Sequence, residues 1–340
     1  MTIDEIFPQF KRKYRQALVT GGAGFIGSHI CEELVIRGFP VVSIDDYSAG
    51  KSFNLKHLKK FKNFIEVKCD ITDMKNLPRY FQGVDIVFHN AASKKSICLI
   101  DPRRDLEVNG AGAFNLLELA AKFKVKKFIH ASTGSVYGEP QYFPTDESHP
   151  TNPVSYYGAS KLTAEKYVQI FHHLYDLNTT ILRYFHVYGT RQEFSDYGGV
   201  ISIFIRNLLE GKTPVIYGTG RQQRSFTYVG DVVKANLLIA IKRESWGEIY
   251  NCASGIKVTI NQLCREILRH FGPADIKPRY QDWLPGDIKI FAIDNSKIKK
   301  LKMDFETNFF GKLSEIIEEM KVYIKNAPRS SQKQKNLHRV

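Results

Sequence analysis

Cysteine is scarce in this chain of 340 residues. There are five, an odd number, scattered at Cys31, Cys69, Cys98, Cys252 and Cys264 with no Cys-x-x-Cys pair. That excludes a disulfide scaffold and offers no metal-binding spacing; free thiols in a reducing cytoplasm are the expected setting. No stretch of about 18 uncharged apolar residues is present, which excludes a conventional membrane-spanning helix. The opening "MTIDEIFPQFKRKYRQ" alternates acids, aromatics and bases and lacks the apolar centre of a secretion signal. Internal repeats and low-complexity tracts are missing too. Acid is the scarcer charge, 35 Asp and Glu against 49 Lys and Arg, a net +14. The densest basic groups, "KHLKKFK" (56–62) and "KIKKLK" (297–302), read as solvated faces. So diffuse an excess attracts small anions as readily as RNA, and neither a nucleic-acid nor a membrane partner is expected from it.

What is present is an alternation. "ALVT" (17–20) reads as a strand, and a glycine cluster follows it. Phe25, Ile26, Ile30, Leu34 and Val35 then recur at helical spacing, up to a stop at Arg37 and Gly38. "PVVSI" (40–44), "FIEVKC" (64–69), "VDIVFHN" (84–90), "KFIHAS" (127–132) and "TTILRYF" (179–185) are further strands, and helices are expected at 103–123 and 157–175. Strand–helix alternation of this kind predicts an α/β fold, a Rossmann-type doubly wound parallel sheet. Beyond 185 the pattern loosens, with short helices at 200–210, 231–242 and 259–271 among glycine-rich loops. The expected organisation is a dinucleotide-binding domain over 15–185 and a smaller C-terminal α/β substrate lobe over 186–325. About 225–252 would return to the sheet, and 326–340 would be a disordered tail.

In "TGGAGFIGSHI" the glycines Gly21, Gly24 and Gly27 are spaced G-x-x-G-x-x-G between a strand and a helix. The first permits a tight turn, the second lets backbone approach a pyrophosphate, and the third lets helix and strand pack closely. Main-chain N–H groups opening the helix would face the anion. Asp45 closes the second strand, where a carboxylate accepts bonds from both ribose hydroxyls and repels a 2′-phosphate, favouring NAD over NADP. Asp46 is an adjacent rival, and a turn cap is the structural alternative for Asp45.

Tyr-x-x-x-Lys occurs twice, at Tyr47–Lys51 and Tyr157–Lys161. The first lies in a glycine-containing loop, "DDYSAGK", where the spacing carries no geometry. The second lies in a helical stretch, where residues i and i+4 share a face. An ammonium beside a phenol favours the phenolate, so Lys161, together with the positive nicotinamide of an oxidised cofactor, is expected to lower the Tyr157 pKa towards neutrality in a shielded site. Tyr157 would then be a general base or acid near neutral pH. The plain alternative is a surface pair on a helix.

These motifs together resemble the extended short-chain dehydrogenase/reductase family, in particular its NAD-dependent nucleotide-sugar epimerases and dehydratases, over about residues 16–305. The resemblance implies a cofactor site with Gly21, Gly24, Phe25, Ile26 and Gly27 in the loop and Asp70 and Ile71 of "CDITD" at the adenine. Ala91 and Ala92 of "HNAAS" would pass under the cofactor. Lys94, Asn109, Ser132, Tyr184 and His186 complete that set. It implies catalysis by Thr133, Tyr157 and Lys161. It places Tyr217 against the substrate's base, Arg224 on a phosphate, and Asp287 and Phe291 around the diphosphate and sugar. The family's 4,6-dehydratases carry Asp–Glu just after the active-site Thr, and its decarboxylases usually keep the Glu. Gly134 and Ser135 stand there here, so simple 4-epimerisation of a nucleotide sugar, most simply a UDP-hexose or UDP-uronate, is the expected reaction. Leu284 and His186 depart from the residues common at their positions. A dehydratase, decarboxylase or reductase is the second reading, and a non-catalytic NAD- or RNA-binding protein the third. The resemblance also implies a homodimer, for which helices 103–123 and 157–175 could form the interface.

Overall fold

Ahead of the first strand, Ile3–Lys13 forms helix α1, which the sequence pattern left outside the domain. Thr2 and Glu5 cap it reciprocally: the Thr2 hydroxyl accepts the Glu5 N–H and the Glu5 carboxylate accepts the Thr2 N–H. Its buried face, Ile6, Phe7 and Phe10, packs in the same core as the sheet, and the Tyr14 hydroxyl donates to the Ala240 carbonyl at 2.6 Å. The computed structural model describes residues 1–93, 95–195, 198–272, 276–283 and 292–328.

β1 (Ala17–Thr20), α2 (Phe25–Ile36), β2 (Val41–Asp45), β3 (Phe64–Lys68) and β4 (Ile86–His89) follow in order. β1, β2 and β4 are buried throughout, as strands covered on both faces must be. The expected helix over 103–123 is broken into pieces. After α3 (Lys95–Ile100) come α4 (Pro102–Leu106), a π-helical segment at Glu107–Gly112, and α5 (Ala113–Lys122). A π segment inserts an extra residue into the turn and is often found at functional sites; here it carries buried Asn109. β5 (Lys127–Thr133), α6 (Tyr156–Tyr175) and β6 (Thr179–Tyr184) complete the alternation.

Past β6 the strands shorten to β7 (Val187–Tyr188), β8 (Val215–Tyr217), β9 (Gln223–Arg224) and β10 (Thr227–Tyr228), with α7 (Val200–Leu209) between β7 and β8. α8 (Val229–Ile241) and β11 (Ile249–Cys252) rejoin the main sheet, whose order is β3-β2-β1-β4-β5-β6-β11, parallel throughout. β12 (Val258–Thr259), α9 (Ile260–Arg269), β13 (Arg279–Gln281), α10 (Ser296–Lys300) and α11 (Phe309–Asn326) close the chain. A second core forms where α7, α9 and α11 meet around Phe204, Ile205, Leu263, Ile267, Leu313 and Ile317. Ile298, Leu301, Met303 and Phe305 instead join the first core. Asn326 ends α11 and Ala327 is buried against the second core, so these two residues of the expected tail are ordered; 329–340 lie outside the described residues.

The strand order turns back between β1 and β4. In an open parallel sheet, ligands bind at the carboxyl ends of the strands beside such a switch point. The glycine loop, Asp45, Asp70, the 90–93 loop and Thr133 all lie at those ends.

Candidate active site

The glycine loop leaves no room for side chains. Gly21 has φ +65°, and a Cβ there would lie 2.6 Å from the Ala91 nitrogen; one on Gly27 would lie 2.2 Å from the Gly21 carbonyl oxygen. Gly24 is the N-cap of α2 and supplies no side-chain cap, so the first N–H groups of the helix are left to face an anion. A crevice opens beside this loop, lined by Gly21, Gly24, Asp45, Asp70, Ile71, Ala91 and Ala92 among others. Backbone glycines, uncapped N–H groups and a carboxylate at the end of β2 are the donor and acceptor set a dinucleotide requires. Phe25 and Ile26 open α2 itself, with Phe25 edge-on to His29.

Asp45 does both jobs weighed for it. It accepts the Tyr47 N–H at 2.8 Å, as a turn cap, and the Ala23 N–H at 3.0 Å, which ties it to the glycine loop. Burial pushes its pKa up to about 6 against these two hydrogen bonds. Asp70 accepts from the Thr72 N–H and hydroxyl, both at 2.8 Å, and its other oxygen pairs with Arg104 of α4. Arg104 lines the crevice and lies 3.7 Å from Asp46. The sequence reading did not single out this arginine, since only the folded chain brings residues 70 and 104 together.

Tyr157 and Lys161 project from the first turns of α6, with Tyr157 partly buried and Lys161 only 1% exposed. Thr133 ends β5, where its hydroxyl oxygen accepts the Ser135 N–H at 3.2 Å. Gly158 lets the two elements meet: a Cβ there would lie 2.7 Å from the Ser135 carbonyl oxygen. α6 thereby sets its first turn against the Thr133–Ser135 turn.

Lys161 alone does not bring Tyr157 towards neutrality. Burial pushes the phenol up to about 12, with Asp105 and the Cys98 thiol adding to the rise. Burial also lowers Lys161 to about 8, partly opposed by Glu165 and Asp105. Desolvation disfavours both charged forms, and it outweighs the attraction between them. A phenolate here needs further positive charge beside it.

Asn109 is fully buried and its side-chain oxygen accepts the Ser93 N–H at 3.0 Å, fixing the loop after β4. The Ser132 hydroxyl donates to Glu165, which also holds Arg183 at 2.6 and 3.0 Å; all three are buried. Tyr184 ends β6. Its hydroxyl accepts from Asn236 at 2.8 Å inside the core, so any part it takes at the crevice falls to its main chain. His186 adopts φ +39° with its ring edge-on to Phe226. Tyr217 is 38% exposed on β8, whereas Arg224 on β9 is buried and donates to the Gln223 carbonyl. Lys94, Leu284, Asp287 and Phe291 lie outside the described residues. Among the described residues no helix is long and apolar enough to cross a membrane.

Residues 17–253 match the model of the NAD dependent epimerase/dehydratase family. The chain belongs to that family. It is 36% identical to a UDP-glucose 4-epimerase of Mycolicibacterium smegmatis over 292 residues, covering 84% of this chain and 92% of that one. It is 38% identical to a UDP-N-acetyl-alpha-D-glucosaminuronate decarboxylase of Bacillus cytotoxicus over 301 residues, 85% and 91% of the two. Among solved structures, a UDP-N-acetylglucosamine 4-epimerase of Methanobrevibacter ruminantium, in complex with UDP-N-acetylmuramic acid, superposes with a TM-score of 0.84. It shares 36% identity and covers 92% of this chain and 98% of its own.

Proposed function

We propose that this protein is a nucleotide-sugar 4-epimerase with NAD as its cofactor, acting on a UDP-hexose or UDP-uronate. One observation separates this from elimination or decarboxylation. Gly134, where a dehydratase carries an acid, is packed against Phe185, and a Cβ there would lie 2.3 Å from the Phe185 ring. No acid fits, and Ser135 beside it has none to offer.

Bound NAD would supply reversible hydride acceptance, held by the glycine loop, Asp45 and Asp70. Its positive ring would also be the further charge that Tyr157 needs. Tyr157 takes the proton of the sugar C4 hydroxyl as the alcohol is oxidised and returns it to the ketone oxygen afterwards. Thr133 donates a hydrogen bond to that same oxygen, and Lys161 orients the cofactor's ribose and adds positive charge beside the phenol. Inversion requires the 4-keto sugar to present its other face between the two transfers. Tyr217 and Arg224, stacking on the base and gripping a phosphate, keep the nucleotide anchored meanwhile.

Incubation with NAD and UDP-glucose, UDP-galactose, UDP-glucuronate and UDP-N-acetylglucosamine tests this, read by chromatography and mass spectrometry. Interconversion at unchanged mass is the expected result. Loss of water or carbon dioxide would favour the second reading, and no turnover of any sugar would count against the epimerase.

We further propose that the protein is a homodimer joined through α5 and α6, and that it works in the cytoplasm, where its five buried free thiols stay reduced. Phe114, Tyr167, Ile170 and Leu174 expose apolar surface along these helices, up to 73% at Leu174. Light scattering should give twice the chain mass, falling to one in Ile170→Asp.

A further inference from the structure

One buried carboxylate stands beside the catalytic corner without a part in the reaction. Asp105 of α4 is 1% exposed. One of its oxygens accepts from the Asn109 amide at 3.0 Å and the other from the Ser160 hydroxyl at 2.6 Å. The Asn109 amide also reaches the Ser160 oxygen at 3.0 Å, while the Asn109 carbonyl takes the Ser93 N–H. Four segments therefore close on one carboxylate: α4, the π segment, α6 and the loop after β4. Ser160 precedes Lys161 and stands three residues after Tyr157, so this knot fixes the turn from which both project.

Building on the epimerase reading, we propose that Asp105 is a positioning residue: through Ser160 and Asn109 it sets the turn of α6 from which Tyr157 and Lys161 project. A carboxylate in that place also raises the pKa of both. Other titratable groups face the pair as well. Cys98 of α3 adds to the effect on Tyr157. His89 of β4 and His130 of β5, held well below the usual imidazole range by burial, are neutral. Glu165, on α6 itself, raises Lys161 more than Asp105 does, although it is paired with Arg183 of β6 and bonded by Ser132.

The test is Asp105→Asn in the full chain, with bound NAD quantified first. One readout is the pH profile of kcat. The other is the titration of Lys161 followed by NMR of its ε carbon, assigned with Lys161→Met. Both limbs of the profile should move acidward by about half a pH unit or more, and the Lys161 midpoint should fall below the parent's value of about 8. Ser160→Ala keeps the carboxylate but removes its donor. It should move the same midpoint alkaline by a smaller amount, and it carries the test if Asp105→Asn does not fold. A slower enzyme with an unmoved profile and an unmoved Lys161 midpoint would overturn the proposal and leave Asp105 a packing residue. The NMR titration needs no turnover. A shifted midpoint in a protein inert towards every sugar would therefore overturn the epimerase reading and still support the hold of Asp105 on the pair.

Discussion

The chain spells Tyr-x-x-x-Lys in two places and folds them differently. At Tyr47 the backbone sits at φ +64°, and the hydroxyl donates to Glu66 on β3 at 2.7 Å. Lys51 turns elsewhere, its ammonium 4.2 Å from the centre of the Phe194 ring. Tyr157 and Lys161 instead ride on a helix of 20 residues, one turn apart, where burial disfavours the charged form of both. Four residues of separation mean a shared face only when a helix imposes it. Desolvation then gives the shared face its chemistry.

The largest effect should break the comparison in one step. Tyr157→Phe should lower turnover by about a thousandfold or more, the upper part of the range for a positioned acid–base group. NAD binding should survive, because the adenosine crevice is formed by other residues. A variant within tenfold of the parent would show that the helix pair is as idle as the loop pair.

Next comes the anchoring of that helix. Glu165 lies one turn beyond Lys161 and holds Arg183, the two being 1% and 3% exposed. Glu165→Gln strands a buried guanidinium and should cost about 3–5 kcal/mol, read from urea unfolding. Replacing both residues together with apolar ones should cost much less. If Glu165→Gln is nearly neutral, the ion pair does not hold α6 in place.

A third test concerns Asp45. Its raised pKa means that the folded chain binds a proton more tightly than the unfolded one. The contribution of Asp45 to stability is therefore greatest below about pH 4 and is lost as pH rises through about 6, by about 3 kcal/mol in total. Asp45→Asn should flatten that slope in a thermal scan against pH. It should also weaken NAD binding by about ten- to a hundredfold, because charged hydrogen bonds to the ribose are lost. In the parent, NAD affinity should drop as pH falls through about 6.

The residues involved show what the sequence could reveal. The strand ends were readable because apolar runs and glycines encode local structure, and the crevice gathers Gly21, Gly24, Asp45, Asp70, Ala91 and Ala92 as the motifs suggested. α1 was readable as well, in its Thr2–Glu5 cap and the spacing of Ile3, Ile6, Phe7 and Phe10, but a charged opening concealed it. The partners of Glu165, Asp105 and Asp70 were not. Arg183, Ser160 and Arg104 lie 18, 55 and 34 residues away, and only the packing of α4 and α6 on the sheet brings them within reach. Direction is lost in the same way. Tyr184 looks available in the sequence, yet its hydroxyl points into the core at Asn236 because α8 covers that face of β6. Nor does spacing reveal desolvation, which here outweighs what Lys161 alone does for the tyrosine.

The smallest effect belongs to the idle pair and sharpens the contrast most. Tyr47→Phe removes one hydrogen bond, to a Glu66 that keeps Ser52 at 2.7 Å and Lys59 at 2.8 Å. Since the carboxylate stays satisfied, the loss should be about 1 kcal/mol in urea unfolding, with turnover within twofold of the parent. Lys51→Met should be equally silent in kcat, because its ammonium is spent on an aromatic ring. A tenfold fall in kcat from either substitution would mean that the loop after β2 reaches the reacting atoms. The distinction between a spacing and a shared helical face would then fail for this molecule.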